Sequence, residues 1–228
     1  LAVFAVTVIA TVAILAPLSA VGLDAGSPAA TTIQLLVTML AYIGIIRLLV
    51  VGPGALTWAQ MHVTRPNPDA IRDLLVGGLL ALPVLVVALV LGAVVSRFVE
   101  RGPGPLPDAT NVTGLVFNLI SAAIIAPIGE ELFFRGFATT AWARTEPAGR
   151  AIVRGAVFFA LAHVVAVSDS TFEAGAQRAL ASFIVLMPVG IALGWVFLSR
   201  RSIYASIGLH ATYNAIQVVV LVAATGLS

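Results

Sequence analysis

The sequence predicts an all-α fold, a polytopic transmembrane helical bundle of about seven spans. Of the 228 residues, 60% are hydrophobic and only 10% are charged, whereas soluble domains carry roughly 25% charged residues. The apolar runs are long enough for a helix to cross a bilayer, and the period-two alternation of a transmembrane barrel is not seen. The lipid bilayer is therefore the first partner that the sequence predicts.

Seven apolar segments divide the chain, and they cover about 1–21, 29–51, 74–95, 112–143, 151–167, 179–198 and 203–224. The fourth is too long for one crossing and contains Pro127, so we expect it to kink there or to project beyond the membrane surface. The first three segments carry no catalytic motif. One membrane domain is thus expected to consist of amino-terminal helices, residues 1–111, and a catalytic helical core, residues 112–228.

Arginine placement predicts the orientation of the spans. The connectors after the second, fourth and sixth segments are rich in arginine, whereas those after the first and fifth are mainly acidic. Because positively charged loops stay in the cytoplasm, we expect the even-numbered connectors there, although Arg97 and Arg101 after the third segment oppose this pattern. All twelve basic residues are arginine. This bias and the Ala/Val-rich composition favour a bacterial plasma membrane.

Composition also excludes several functions. There is no cysteine, so thiolate catalysis, disulfides and cysteine-ligated metal sites are ruled out. The net charge is only +2 and no basic run occurs, so we expect no nucleic acid as a partner. His62 lies in the connector after the second segment, and the sequence assigns it no role.

Two adjacent carboxylates, Glu130 and Glu131, lie in the fourth apolar segment. Ionisable residues at membrane depth are expensive and mark function by default. On a helix the two side chains point about 100° apart, so they cannot share one task. Arg135 follows Glu131 at the i, i+4 spacing that lets a carboxylate and a guanidinium meet. We therefore expect Glu131 and Arg135 to form a structural ion pair and Glu130 to face a cavity as a general base.

Two of the three histidines lie in later apolar segments. His163 follows Phe159 by four residues, which places both side chains on one helix face. His210 and Asn214 have the same spacing, and an imidazole and an amide side by side offer two donors to one oxyanion. Each taken alone is also compatible with ordinary polar packing between membrane helices.

Glutamate, histidine and a His/Asn pair on three helices are the parts of a hydrolytic site. The motifs of serine and aspartyl intramembrane proteases are missing, and so is the His-Glu-x-x-His zinc motif. Polar residues confined to the last four segments also argue against a transporter, which usually shows inverted repeats. A non-catalytic membrane scaffold or immunity protein stays open as an alternative.

The three motifs, Glu130-Glu131-x-x-x-Arg135, Phe159-x-x-x-His163 and His210-x-x-x-Asn214, resemble those of the CPBP family. This family comprises the type II CAAX prenyl endopeptidases and the Abi-like bacteriocin-processing or immunity proteins. The resemblance covers about residues 112–220. It implies an intramembrane endopeptidase that cleaves membrane-associated peptides or proteins, with its active site open to the cytoplasm.

The resemblance also implies residue roles. Glu130 and His163 would activate water, and His210 and Asn214 would hold the oxyanion, with no cofactor required. An older view of the family implies a zinc protease in which Glu130, His163 and His210 are the ligands. The glutamate mechanism is favoured, because Asn214 has a natural role as a donor and none as a zinc ligand.

Overall fold

A computed structural model of the chain describes residues 26–99, 107, 109, 111–165, 167 and 169–225. Every regular element in this part is helical, which confirms the predicted all-α fold there. Three wide, π-helical stretches interrupt the α-helices. In chain order the elements are α1 (Pro28–Ile45), π1 (Ile46–Val51), α2 (Pro68–Val95), α3 (Val112–Ile120), π2 (Ser121–Ile125), α4 (Ala126–Glu131), π3 (Leu132–Thr139), α5 (Thr140–Ala143), α6 (Ala148–Val164), α7 (Phe172–Arg200) and α8 (Ile203–Thr225).

Five helical stretches of the described residues are long and apolar enough to cross a membrane. They are Pro28–Val51, Pro68–Val95, Val112–Ala143, Phe172–Arg200 and Ile203–Ala223, and they match the second, third, fourth, sixth and seventh predicted segments. The fifth predicted segment forms α6, a helix of 17 residues that is not among the five. The first predicted segment lies outside the described residues. The chain is thus a helical membrane protein, and the count of about seven spans stays a prediction.

Side-chain caps set where the helices begin. The Asn67 carboxamide oxygen accepts a hydrogen bond from the Ala70 amide at 2.9 Å, and Pro68 suits the first helical position because it has no N–H to lose. As a result α2 begins at Pro68. The apolar run predicted a later start, at about residue 74. Asp73 therefore lies within the helix, and its carboxylate pairs with Arg200 at the end of α7, at 2.5 Å.

The described residues group into two compact units. The first consists of the residues up to Thr57, those from 107 to Phe133 and those from His210 onward. In it, the Thr32 and Ser121 hydroxyls lie 2.7 Å apart and join α1 to π2. A Cβ at Gly129 would lie 2.3 Å from the Met39 sulfur, so only glycine lets α1 approach the chain just before the acidic pair. The predicted division at residue 111 stays a prediction.

The second unit contains the residues from Trp58 to 99 and from Phe134 to Leu209. Small residues bring its helices together, as is typical where lipid removes the hydrophobic drive for helix association. A Cβ at Gly208 would lie 2.1 Å from the Leu74 carbonyl oxygen, and one at Gly77 would lie 2.0 Å from the Ala205 carbonyl oxygen. These two glycines therefore set the backbone separation of α2 and the start of α8.

Replacing Gly77 with alanine is expected to destabilise the protein, because a methyl group there would collide with backbone rather than with a mobile side chain. Overpacking of this kind costs about 1–3 kcal/mol, occasionally more. Gly92 on the same helix has open space around it, so Gly92→Ala should be neutral or stabilising, since alanine favours the helix by up to about 1 kcal/mol. Thermal unfolding of both variants in detergent checks this. Equal melting temperatures would contradict the close approach.

Candidate active site

The Glu131 carboxylate and the His210 imidazole form a buried hydrogen bond. Glu131 Oε1 lies 2.8 Å from His210 Nδ1, and the two residues are 0% and 4% exposed. Glu131 is the last residue of α4, and His210 lies in α8, 79 positions further along the chain. The bond fixes the orientation of the imidazole ring, because a ring held at Nδ1 must direct its other nitrogen away from Glu131.

Glu130 lies close to the opposite side of this ring. Its Oε2 is 3.9 Å from His210 Nε2, and its side chain is 13% exposed, against 0% for Glu131. The two adjacent glutamates therefore contact the two different nitrogens of one histidine. Glu130 and Glu131 thus have different environments, and the different tasks that the sequence predicts for them stay predictions.

Asn214 is held by a carbonyl group that the π2 stretch leaves open. In a regular α-helix the Ala126 amide would donate to Ala122, but here it donates to the Ser121 carbonyl. The next residue, Pro127, has no N–H to offer. The Asn214 amide donates to the Ala122 carbonyl oxygen instead, at 2.8 Å. This places Asn214 one helical turn beyond His210 on the same face of α8.

In the second unit, His163 is held by its own helix. Its Nδ1 lies 2.8 Å from the Phe159 carbonyl oxygen, and its ring centroid lies 4.3 Å from that of Phe159. A carbonyl oxygen can only accept, so Nδ1 carries the proton and Nε2 is the acceptor in the neutral imidazole. The two rings therefore lie on one face of α6, as their spacing predicts.

Arg135 is 0% exposed and lies among aromatic and backbone groups of the second unit. Its guanidinium carbon lies 4.4 Å from the centroid of the Phe159 ring, and a terminal nitrogen donates to the Gly190 carbonyl oxygen at 3.4 Å. A desolvated cation–π contact of this kind contributes about 2 kcal/mol. Phe159 thus packs against both His163 and Arg135.

The structure brings together four of the six predicted residues within the first unit. Glu130, Glu131 and His210 are in direct proximity, and Asn214 lies one turn beyond. His163 and Arg135 belong to the second unit, so the joint action of His163 with Glu130 and the Glu131–Arg135 ion pair stay predictions. Sequence reasoning missed the Glu131–His210 bond, since the i, i+4 spacing offered a nearer partner for Glu131 and nothing in the sequence links α4 to α8.

Within either unit of the described residues, no three His, Asp or Glu side chains are grouped as metal ligands. The zinc alternative needs Glu130 and His210 from the first unit and His163 from the second. The donor set itself suits zinc, and a histidine that hydrogen-bonds a carboxylate through Nδ1 is a common metal ligand. The alternative therefore stays open.

Buried carboxylates, an imidazole and an amide on membrane-length helices define a helical membrane protein with an intramembrane polar site. Residues 112–216 match the family model of the Rce1-like type II CAAX prenyl endopeptidases. The matched region is just under half of the chain and contains all six predicted site residues. The match supports the CAAX endopeptidase family that the motifs predicted, and it indicates a protease. No curated protein and no solved structure matched.

Coupling between Glu131 and His210 is expected to be measurable. Removing one partner of a buried charged pair costs about 3–5 kcal/mol, because the other is left without compensation. Glu131→Ala and His210→Ala should therefore each destabilise strongly, and the double variant by less than their sum, with a coupling of about 1–3 kcal/mol. Unfolding in detergent provides the four free energies.

The control pairs Glu131→Ala with Val116→Ala, an exposed position on α3 that shares no partner with Glu131. Those two changes should be additive to within about 0.5 kcal/mol. If the Glu131 and His210 changes were equally additive, the hydrogen bond would contribute nothing to stability.

Proposed function

We propose that this intramembrane CAAX-type endopeptidase hydrolyses peptide bonds of membrane-associated peptides or proteins through water activated by Glu130 with His163. The Glu130 carboxylate takes a proton from the water while the oxygen attacks the scissile carbonyl carbon. His210 and Asn214 donate hydrogen bonds to the developing oxyanion. Glu130 then returns the proton to the leaving nitrogen as the C–N bond breaks, so the carboxylate is regenerated and no cofactor is consumed.

The observation that carries this proposal is the placement of His210 between the two glutamates. An oxyanion donor must present an N–H, and Nδ1 is already engaged with Glu131. The proposal therefore places one proton between Glu131 Oε1 and His210 Nδ1 and a second proton on Nε2. The first maintains the bond to Glu131, and the second provides the N–H for the oxyanion. The Glu130 oxygen lies 3.9 Å from Nε2, so this nitrogen is directed toward the side of the ring on which the proposed base lies. Glu131 is then a positioning residue for His210 as well as the proposed partner of Arg135.

Asn214 is suited to serve as the second donor. Its amide nitrogen carries two hydrogens, and one of them is directed to the Ala122 carbonyl. That bond fixes the orientation of the amide before substrate arrives, which is the condition under which oxyanion donors are effective. Each such donor contributes about 3–4 kcal/mol of transition-state stabilisation where it has been measured.

His163 supports the base through its acceptor nitrogen. Because Nδ1–H is committed to the Phe159 carbonyl, Nε2 offers a lone pair that can accept a hydrogen bond from the water and orient it, while Glu130 takes the proton. The proposal requires this nitrogen and the Glu130 carboxylate to share one water. From the arginine-rich connectors, we propose that the site opens to the cytoplasmic side of a bacterial plasma membrane.

A zinc-dependent mechanism is the second candidate, and the Glu131–His210 bond is the observation in its favour. With a single proton in that pair, located on Nδ1, Nε2 has a lone pair for a metal. Glu130, His163 and His210 would then hold zinc, which would supply a polarised water. The non-catalytic scaffold has no comparable observation in its favour.

Glu130→Gln is expected to lower peptide cleavage by at least about 10²-fold, because glutamine cannot take a proton, and general bases contribute about 10²–10⁴-fold. The side chains are nearly isosteric, so folding should be retained. Cleavage of a quenched fluorescent peptide library by the protein in liposomes measures this. Glu173→Gln, at an exposed position in α7, is the matched control and should keep full activity. Full activity of Glu130→Gln would eliminate the proposed base.

Chelation separates the two mechanisms. On the glutamate mechanism, prolonged treatment with a zinc chelator should leave the cleavage rate unchanged, and elemental analysis should find less than one zinc per chain. Loss of activity that added zinc restores would reject the glutamate mechanism in favour of the metal. Asn214→Ala adds an independent readout, because loss of an oxyanion donor should lower kcat about 10²–10³-fold with little change in KM.

A further inference from the structure

Helix α1 carries none of the predicted site residues, yet it runs beside the stretch that contains the acidic pair. The contacts between them occur in the same order along both. A Cβ at Gly114 would lie 3.5 Å from the Pro28 ring. Further along, the hydroxyls of Thr32 and Ser121 lie 2.7 Å apart. The two helical stretches are therefore parallel neighbours within the first unit.

Two further contacts of α1 occur just before and just after Glu130 in the chain. A Cβ at Gly129 would lie 2.3 Å from the Met39 sulfur, so the Met39 side chain packs directly against the backbone that precedes Glu130. Three residues after Glu130, the Phe133 ring stacks on the Tyr42 ring, with centroids 4.8 Å apart and planes at 26°. The segment that carries the proposed base is thus held against α1 on both sides of that residue.

The face of α1 that makes these contacts is packed inside the first unit. Met39 and Ile46 are buried, and Tyr42 lies between them at the i+3 position of an i, i+3, i+7 series, which shares one helix face. The stacked Phe133 is buried as well, whereas Leu40 on the same helix is exposed. The Tyr42 ring is therefore directed toward the acidic segment rather than away from the helices.

The helix changes type at the acidic pair, which makes this packing important for the direction of Glu130. α4 ends at Glu131, and π3 begins at Leu132. Where an α-helix passes into a π-helical stretch, the angular spacing of successive residues changes. Packing against a neighbouring helix therefore helps to determine where each side chain points. A stack at Phe133, the second residue of π3, fixes the chain directly after this change.

We propose that Tyr42 is a positioning residue for Glu130 and acts through the stacked Phe133 ring. Together with the glycine contact before the acidic pair, the stack restricts shift and rotation of this segment. It thereby maintains Glu130 Oε2 beside His210 Nε2, where the two atoms lie 3.9 Å apart. The inference rests on the proposed function, because it takes Glu130 as the base. It gives α1, a helix without a motif, a role in the active site.

Steady-state cleavage of a quenched fluorescent peptide by the full chain in liposomes tests the proposal. Tyr42→Leu keeps an apolar side chain but removes the stacked ring. It should lower kcat at least about tenfold with KM nearly unchanged, because misplacing a catalytic group by about 1 Å can cost about 10²-fold in rate. Tyr42→Phe retains the ring and should keep kcat close to that of the wild type. Phe133→Leu removes the other ring and should reproduce the loss, which provides the test if Tyr42→Leu does not fold.

Two control variants on α1 separate positioning from stability. Leu40→Ala changes an exposed residue of the same helix and should leave kcat unchanged. Ala30 is completely buried near the start of α1, and it lies about 18 Å along the helix from Tyr42. Ala30→Gly should lower the melting temperature, because glycine weakens a helix interior. Its kcat, measured well below that temperature, should nevertheless equal that of the wild type.

Several results would overturn the proposal. A loss in Ala30→Gly equal to that in Tyr42→Leu would show general destabilisation. A loss in Tyr42→Leu that Phe133→Leu does not reproduce would show that Tyr42 acts through another contact, and an equal loss in Tyr42→Phe would identify the hydroxyl as the acting group. A raised KM at unchanged kcat would make Tyr42 a substrate contact.

Failure of the proposed function can be distinguished from failure of this inference. Full activity of Glu130→Gln would reject the proposed base, and the role given to Tyr42 would be rejected with it. An inactive Glu130→Gln combined with wild-type kcat in Tyr42→Leu and Phe133→Leu would retain the base and reject only the role of Tyr42.

Discussion

Burial of charge inside an apolar helical bundle is the constraint on which this structure depends. Glu131 and Arg135 are both completely buried, and an isolated charge in such a place costs several kcal/mol. The first unit meets this cost for Glu131 with the His210 imidazole at 2.8 Å. This one hydrogen bond has two effects. It compensates the buried Glu131 carboxylate, and it fixes the His210 ring so that the other ring nitrogen faces Glu130.

The π-helical stretches π2 and π3 leave backbone carbonyl oxygens available as hydrogen-bond acceptors in a chain with few polar side chains. At π2 the register shift and the absence of an N–H at Pro127 leave the Ala122 carbonyl for Asn214. At π3 the hydroxyls of Thr139 and Thr140 donate to carbonyls five residues earlier, at 2.8 Å and 3.3 Å. Backbone carbonyls in lipid must be satisfied internally. At π2 and π3, polar side chains thus donate hydrogen bonds to backbone carbonyls within the widened stretch or next to it.

Glycines and arginines occur at different places in the helices and have different roles there. Glycines at helix contacts remove side-chain volume where backbones meet, as at Gly77 and Gly129. Arginines at helix ends carry the charge toward water and headgroups. Arg200 pairs with Asp73 and Arg201 lines a pocket, so the two adjacent arginines have different surroundings because a left-handed turn separates their directions.

The sequence by itself determined the helical membrane class, five of the membrane-length helices, and the residues of the candidate site. It could do so because the cost of polar groups in lipid leaves few of them, and those few are recognisable by i, i+4 spacing along one helix. Sequence reasoning assigned no role to His62, because an isolated loop histidine carries no periodic signal.

Only the tertiary structure decided that Glu131 bonds to His210 and that the Asn214 amide donates to the Ala122 carbonyl oxygen. It also decided that His62, Arg144 and Arg201 line one cavity. These contacts join residues far apart in the chain. Helix packing and local backbone strain, rather than sequence spacing, determine them.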